Sequence, residues 1–388
     1  MKLESDNTGD NVPLLADTQK SAAGSNSQNG SIPGAVFNIS TTMIGAGIMS
    51  IPATMKVLGI VPGFLMIVSV ALATEITVEF MLRYTGSGKS ITYAGMVGES
   101  YGKLGSLAVK VCVIITNLGV LTIYLIILDS LRYSSGISIL LALVFVAISS
   151  SMAFYGMWFG KTQPMRIFPD FSQVSILDVF ATIPVFVTGF GFHVNVHPIR
   201  AELGKAGDMK MAVRVSLIIC VAIYFAIGFF GYLLFGDSIL TDMLVNFDQS
   251  SNARAGRLLN DVVRLSYALH LALVFPVMNY SLRLNIHELL FSDENRPDLA
   301  SDTPRFLCLT LSLLAFTYVV AVALPNIWYF FQFLGSTTIV CLSFIFPSAI
   351  ILRDIYGIAT AKDRVMAIAV AILAVVTSGL AIWTNLYG

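Results

Sequence analysis

The chain has 388 residues, 56% of them hydrophobic and 12% charged, with 23 basic and 23 acidic side chains and so no net charge. A soluble domain carries about 25% charged residues, so this composition, with a mean hydropathy of +0.80, excludes an ordinary soluble protein and points to a polytopic protein of the lipid bilayer. The charge balance gives no reason to expect a nucleic acid or an acidic substrate.

Residues 1–31 stand apart: they are rich in Ser, Asn, Gly and Asp, hold no aromatic residue, and are expected to form a disordered cytoplasmic tail. No apolar core precedes Ile32, so the tail does not read as a signal peptide. It contains DNVPLL at 10–15, an acidic dileucine pattern of the kind adaptors read for vacuolar or lysosomal sorting, although so short a pattern also arises by chance.

From Ile32 onward the chain is predicted to be one transmembrane domain, 32–388. At about 20 apolar residues per crossing, ten segments qualify: 35–58, 60–84, 105–128, 136–158, 174–198, 211–235, 258–282, 306–325, 328–352 and 363–386. The first carries TTMIGAGIMSIP at 41–52, with Gly45, Ala46, Gly47 and Pro52 in its middle. Glycine is a poor helix former and proline removes a donor. In hydrocarbon a broken helix is tolerated only where its freed backbone faces protein, ligand or water. Between the second and third segments, 90–101 reads as a short interfacial helix. GSGKS at 86–90 lacks the upstream glycine of a phosphate loop and follows no strand, so it reads as an interfacial turn. Glu75, Glu79 and Arg83 form an i, i+4, i+8 stripe, read as an ion-pair ladder along the second segment.

The fifth segment repeats the anomaly of the first. VFVTGFGFHVNVHPIRAEL, 185–203, is interrupted at Gly189 and Gly191 and then places His193, Asn195, His197 and Pro198. Two Gly-interrupted segments, one early in each half, are the best sequence pointer to the central site of a transporter. Unwound backbone there leaves N–H and C=O groups free for a zwitterion, with its carboxylate on the amides and its ammonium on the carbonyls. The competing explanation is that the glycines only allow close helix packing. The four cysteines, Cys112, Cys220, Cys308 and Cys341, lie singly in apolar runs and imply neither a metal site nor a disulfide framework. No catalytic motif appears, so neither enzyme chemistry nor a cofactor is expected.

The distribution of Lys and Arg sets orientation. Arg83, Lys89 and Lys103 follow the second segment, which puts the N-terminus in the cytoplasm. Strict alternation through ten crossings would then place the clusters at 200–214, 283–305 and 353–364 outside. The rule holds in both halves only if the alternation slips once, and LIILDSLRYSSG around 128–132 is the sharpest candidate for a missing crossing.

FNISTTMIGAGIMSIP and GFHVNVHPIRAEL together resemble the amino acid/auxin permease family, over about residues 32–388, nearest to the plant vacuolar amino acid transporters and further from the sodium-coupled neutral amino acid transporters. The resemblance implies an all-α LeuT-like fold of inverted five-helix repeats with eleven spans, of which this chain would hold about ten. It implies alternating-access transport of neutral amino acids, in a vacuolar or other endomembrane or in the plasma membrane. By position, Thr42, Gly45, Ala46 and Gly47 would form one side of the substrate site and Gly189, Phe190 and His193 the other. Asn117 and Tyr124 share a face of the third segment and would line the cavity. The sodium-coupled relatives use an Asn and a Thr for the ion. Here those positions fall at Thr41 and within the apolar Leu271–Val274, so sodium coupling is disfavoured, and nearby His270 is either a candidate proton site or a histidine hydrogen-bonded within the bundle. The rival reading is a shortened form that regulates or does not transport.

Overall fold

The computed structural model describes residues 30–129, 138–160, 162–203, 206–249, 254–290 and 302–387. The expected tail before residue 30 and the junction at 130–137 therefore lie outside the described residues. Among the described residues every regular element is helical.

The first apolar segment is two half-helices, α1 (Ile32–Met43) and α2 (Ile51–Leu58), joined by a 3₁₀ turn at Ala46–Ser50. Pro52 sits in the first turn of α2, where its missing N–H costs nothing, so it starts a helix here and does not kink one. There follow α3 (Ile60–Ser87), α4 (Tyr93–Asp129), α5 (Ser138–Trp158), α6 (Ile176–Gly189) and α7 (Val196–Leu203). The second half holds α8 (Ala206–Phe235), α9 (Met243–Gln249), α10 (Arg254–Leu290), α11 (Thr303–Ala323), α12 (Ile327–Ser336), α13 (Phe346–Arg353) and α14 (Ala361–Tyr387). The interfacial helix expected at 90–101 is the start of α4, set off by a kink at Gly102, whose φ of 68° falls where glycine is favoured.

Among the described residues eight helical stretches are long and apolar enough to cross a membrane, and nine if the bent α1–α2 pair counts as one. The expected segment at 136–158 is also helical, as the uncharged 21-residue α5. Burial sorts the helices. An 18-residue apolar run within Ile327–Arg353 is 72% buried inside the protein and one within Ile176–Leu203 61%, whereas that within Thr303–Ala323 is only 11% buried. Leu311, Phe316 and Val319 of α11 point outward as lipid-facing side chains do. Helices α3, α4, α8, α10, α12 and α14 pack around the two interrupted segments, α1–α2 and α6–α7.

One end of the bundle gathers the basic clusters. Arg83 of α3 bonds Asp363 at 2.9 Å and the Ile358 carbonyl at 2.8 Å, Lys210 bonds Glu79 at 2.8 Å, and Arg214 bonds Glu75 at 2.8 Å. The expected ladder along α3 is thus corrected: each charge of the stripe faces a partner on another helix. Lipid cannot solvate such groups, and a partner on a neighbouring helix ties the bundle together as well. The GSGKS turn donates the amides of Lys89 and Ser90 to Glu99 (3.0 and 2.6 Å).

Contacts along the helices also give their direction. Tyr101 of α4 donates to the Ala349 carbonyl at the basic end, and Thr116 meets Thr338 further along, so α4 runs toward the opposite end. Phe154 of α5 packs on Phe230 near the far end of α8 (centroids 5.0 Å apart), and the Gln163 amide bonds the Leu233 carbonyl beyond it. Hence α5 also runs toward the opposite end. Two consecutive apolar helices pointing the same way are separated by a stretch far shorter than the roughly 20 residues of a crossing helix.

Candidate functional site

The first interruption frees the carbonyls at the end of α1. Ile44 (ψ 60°) leaves the helical region, Gly45 is extended (φ −104°, ψ −155°), and α1 bends by 53° into the next half-helix. Three side chains from α8 and α10 take the freed oxygens. Tyr224 donates to Met43 O, His270 Nε2 lies 3.0 Å from Ile44 O, and Tyr267 donates to Gly45 O at 2.6 Å. A carbonyl only accepts, so His270 carries a hydrogen on Nε2. Unpaired buried carbonyls are costly, and these donors are what allow the helix to stop in mid-membrane.

The second interruption ends α6 at Gly189. Phe190 and Phe192 take bridge-region angles, a 3₁₀ turn follows at His193–Asn195, and α7 continues with Pro198 in its first turn. The two interruptions touch. A Cβ built on Gly47 would lie 3.3 Å from Gly189 Cα, closer than an ordinary contact, whereas one built on Gly189 would meet the Tyr224 ring at 3.1 Å. The Tyr224 hydroxyl also reaches Gly189 O at 2.8 Å, joining the two breaks through one side chain, while the Phe190 ring packs edge-on against Tyr224 (5.0 Å).

Thr41 and Thr42 spend their hydroxyl hydrogens on Phe37 O (2.7 Å) and Asn38 O (2.9 Å), and Thr42 accepts from Asn195 Nδ2 at 3.4 Å. Ala46 lies in the 3₁₀ turn, with its side chain outside the described residues. The Tyr124 hydroxyl stands over Gly45, 3.2 Å from where a Cβ would lie. Asn117 and Tyr124 are both buried. His193 turns elsewhere: its Nε2 is 2.9 Å from Thr77 Oγ1 on α3, and Phe344 flanks its ring. His197 repeats the motif with Thr85 (2.9 Å). The structure therefore brings Gly45, Gly47, Gly189, Phe190 and Tyr124 to one locality, with Thr41, Thr42 and His270 on its α1 side, and directs His193 to α3.

Sequence reasoning missed Tyr224 and Tyr267. The signal was available, since a tyrosine in the middle of an apolar span needs a partner for its hydroxyl. It also missed Asp242, buried just before α9 beside Thr241, whose carbonyl accepts from Ser50 of the broken segment at 2.8 Å. Burial raises the Asp242 carboxyl to about 6, against the opposing hydrogen bond from Leu244 N–H (2.9 Å) and the charge of Arg264. At the end opposite the basic clusters a cavity of about 320 Å³ is lined by Val57, Asp178, Ala181, Trp328 and Gln332. Among the described residues no group of His, Cys, Asp and Glu could hold a metal ion.

Comparison with known proteins agrees with this architecture. The model of the family described as transmembrane amino acid transporter protein matches residues 28–131 and 127–386. Amino acid transporter AVT6C of Arabidopsis thaliana is 45% identical, covering 94% of this chain and 95% of that protein. Amino acid transporter AVT6D of the same plant is 42% identical over 97% of each. Rat solute carrier family 38 member 10 is 25% identical over 89% of this chain and 35% of its own length. The alignment with AVT6C spans 415 positions, more than the chain's 388 residues, so that relative holds residues with no counterpart here. The two family matches meet within 127–131.

Proposed function

The chain belongs to the transmembrane amino acid transporter family, and from that premise we propose that it moves neutral amino acids across a vacuolar or other endomembrane by alternating access, coupled to protons. The observation that carries this reading is the contact of the two interrupted segments at Gly47 and Gly189. Two unwound stretches side by side offer carbonyls to an ammonium and amides to a carboxylate within one buried, low-dielectric region. The proposed substrate site comprises the backbone of 45–47 and 189–191, with Thr42, Phe190, Asn117 and Tyr124 around it. His193, which bonds Thr77 of α3, belongs to the second-interruption side of the same proposed site.

Sodium coupling is disfavoured on chemical grounds. A sodium ion needs several hard oxygen ligands, and the carbonyls of Ile44 and Gly45 already accept from His270 and Tyr267. Thr41 bonds its own helix, and Leu271 to Val274 offer no side-chain oxygen. His270, bonded to the break itself, is the proposed coupling residue.

The experiment is uptake of radiolabelled alanine by reconstituted protein. Replacing sodium with choline leaves uptake unchanged and collapsing the proton gradient reduces it; a strict sodium requirement would defeat the coupling assignment. A second reading is favoured by α4 and α5 running the same way and by the family matches meeting at 127–131: a shortened, non-transporting form. Alanine binding without uptake selects that reading.

A further inference from the structure

Tyr224 lies wholly buried in the middle of α8. Its hydroxyl oxygen is in hydrogen-bond contact with two carbonyl oxygens, Met43 O at the first interruption and Gly189 O at the second (2.8 Å). A phenol has one hydrogen, so only one of these contacts contains a proton. Met43 O already accepts from Gly45 N–H at 2.7 Å, and Gly189 O has no other hydrogen bond among the described residues. The hydroxyl hydrogen therefore serves one carbonyl, and the remaining contact sets two lone-pair-bearing oxygens against each other. Three oxygens from three helices thus form a cluster short of a donor.

We infer that Tyr224 is a substrate-recognition residue whose hydroxyl oxygen, with the carbonyls of Met43 and Gly189, seats the ammonium group of the amino acid. The inference rests on the proposed substrate site between the two interruptions. An α-ammonium brings three N–H donors to three acceptors, and it relieves the oxygen–oxygen contact as the two segments part to admit it. No acidic side chain takes part in the cluster's hydrogen bonds, so the ammonium charge is balanced by the ligand's own carboxylate. That suits a zwitterion and disfavours a simple amine. The tyrosine also links the two halves: its ring packs on Phe190 of the second interruption and its oxygen reaches the end of the first.

The test counts N–H donors. Binding to the purified full chain is measured for L-alanine, N-methyl-L-alanine and N,N-dimethyl-L-alanine, with the wild type and Tyr224→Phe, which keeps the ring. Hydrogen bonds to charged groups are worth enough for each lost donor to weaken wild-type binding about tenfold. In Tyr224→Phe only two acceptors remain, so the first methyl costs less than about twofold while the second still costs about tenfold. An equal loss of affinity for all three ligands, leaving the alanine to N-methylalanine ratio unchanged, would mean a merely structural tyrosine and overturns the inference. So would a sodium requirement for alanine binding that vanishes in the variant, because it assigns the three oxygens to a metal cation. Should the variant fail to fold, the wild-type series decides alone: a first methyl without cost overturns the three-oxygen seat. A wild type that binds none of the ligands overturns the transporter reading itself, a distinct outcome.

Discussion

Replacing Gly47 by alanine would place a methyl carbon 3.3 Å from Gly189 Cα and 3.7 Å from its amide nitrogen, with a Phe331 ring carbon at 4.0 Å. The obstructing atoms are backbone within the second interruption, so nothing can swing aside and the segments must part by a few tenths of an ångström. Overpacking of this kind costs about 1–3 kcal/mol, or roughly a 5- to 150-fold loss of any state in which the two segments touch. Leucine adds three more carbons at the same point and is expected to abolish binding while the protein still inserts. Two other glycines calibrate the effect. A Cβ on Gly45 would crowd the hydroxyl tip of Tyr124, at 3.2 Å, which can shift, and lie in ordinary contact with Thr42 O at 3.7 Å, while one on Gly379 meets nothing within 4 Å. Equilibrium binding of radiolabelled alanine to purified protein, beside a thermal unfolding scan, should rank the affinities Gly379→Ala, Gly45→Ala, Gly47→Ala, Gly47→Leu from strongest to weakest. Gly47→Leu binding with wild-type affinity would refute the reasoning and move the site elsewhere.

Three further outcomes are expected. Asp242, raised by burial from 3.8 to about 6, binds its proton more tightly in the folded than in the unfolded state. It therefore adds stability as pH falls from about 6 toward 4, and its ionised form costs about 3 kcal/mol at neutral pH. Asp242→Asn, which can keep the helix cap, should be the more stable protein at pH 7 and should lose that gain on acidification, as read by thermal unfolding across pH; an unchanged pH profile would count against it. Gly335→Ala would put a methyl 2.0 Å from the Pro184 carbonyl of α6; it should lower thermal stability more than Gly47→Ala does, and an unaltered melting curve would show that α12 is not packed as described. A cysteine at Lys205, outside the described residues, should be labelled in sealed vesicles from the side that also labels one placed at Lys89; labelling from the other side alone would show that the second half inserts inverted.

The sequence by itself determined the membrane class, the positions of the helices and the two interruptions. These are local matters: a run of apolar residues must become a helix in lipid because its backbone has no other partner, and Gly45, Gly47, Gly189 and Gly191 weaken that helix where they stand. The anomaly near 128–132 was legible for the same reason, since Lys and Arg report sidedness residue by residue. It converges with α4 and α5 pointing the same way and with family matches that meet at 127–131. Partners were a different matter. The stripe Glu75, Glu79, Arg83 looked self-sufficient on its helix, yet its glutamates bond α8 and its arginine bonds Asp363 of α14. His193, expected as a wall of the site, takes Thr77 of α3 as the partner of its Nε2. Tyr224 and Tyr267 sit 35 or more residues from the nearest carbonyls they hold, and no periodicity links them. Which oxygen a buried hydroxyl finds depends on how helices far apart in sequence cross, and that crossing is settled by packing: Gly47 can touch Gly189, and Gly335 can reach Pro184, only because no side chain stands between them.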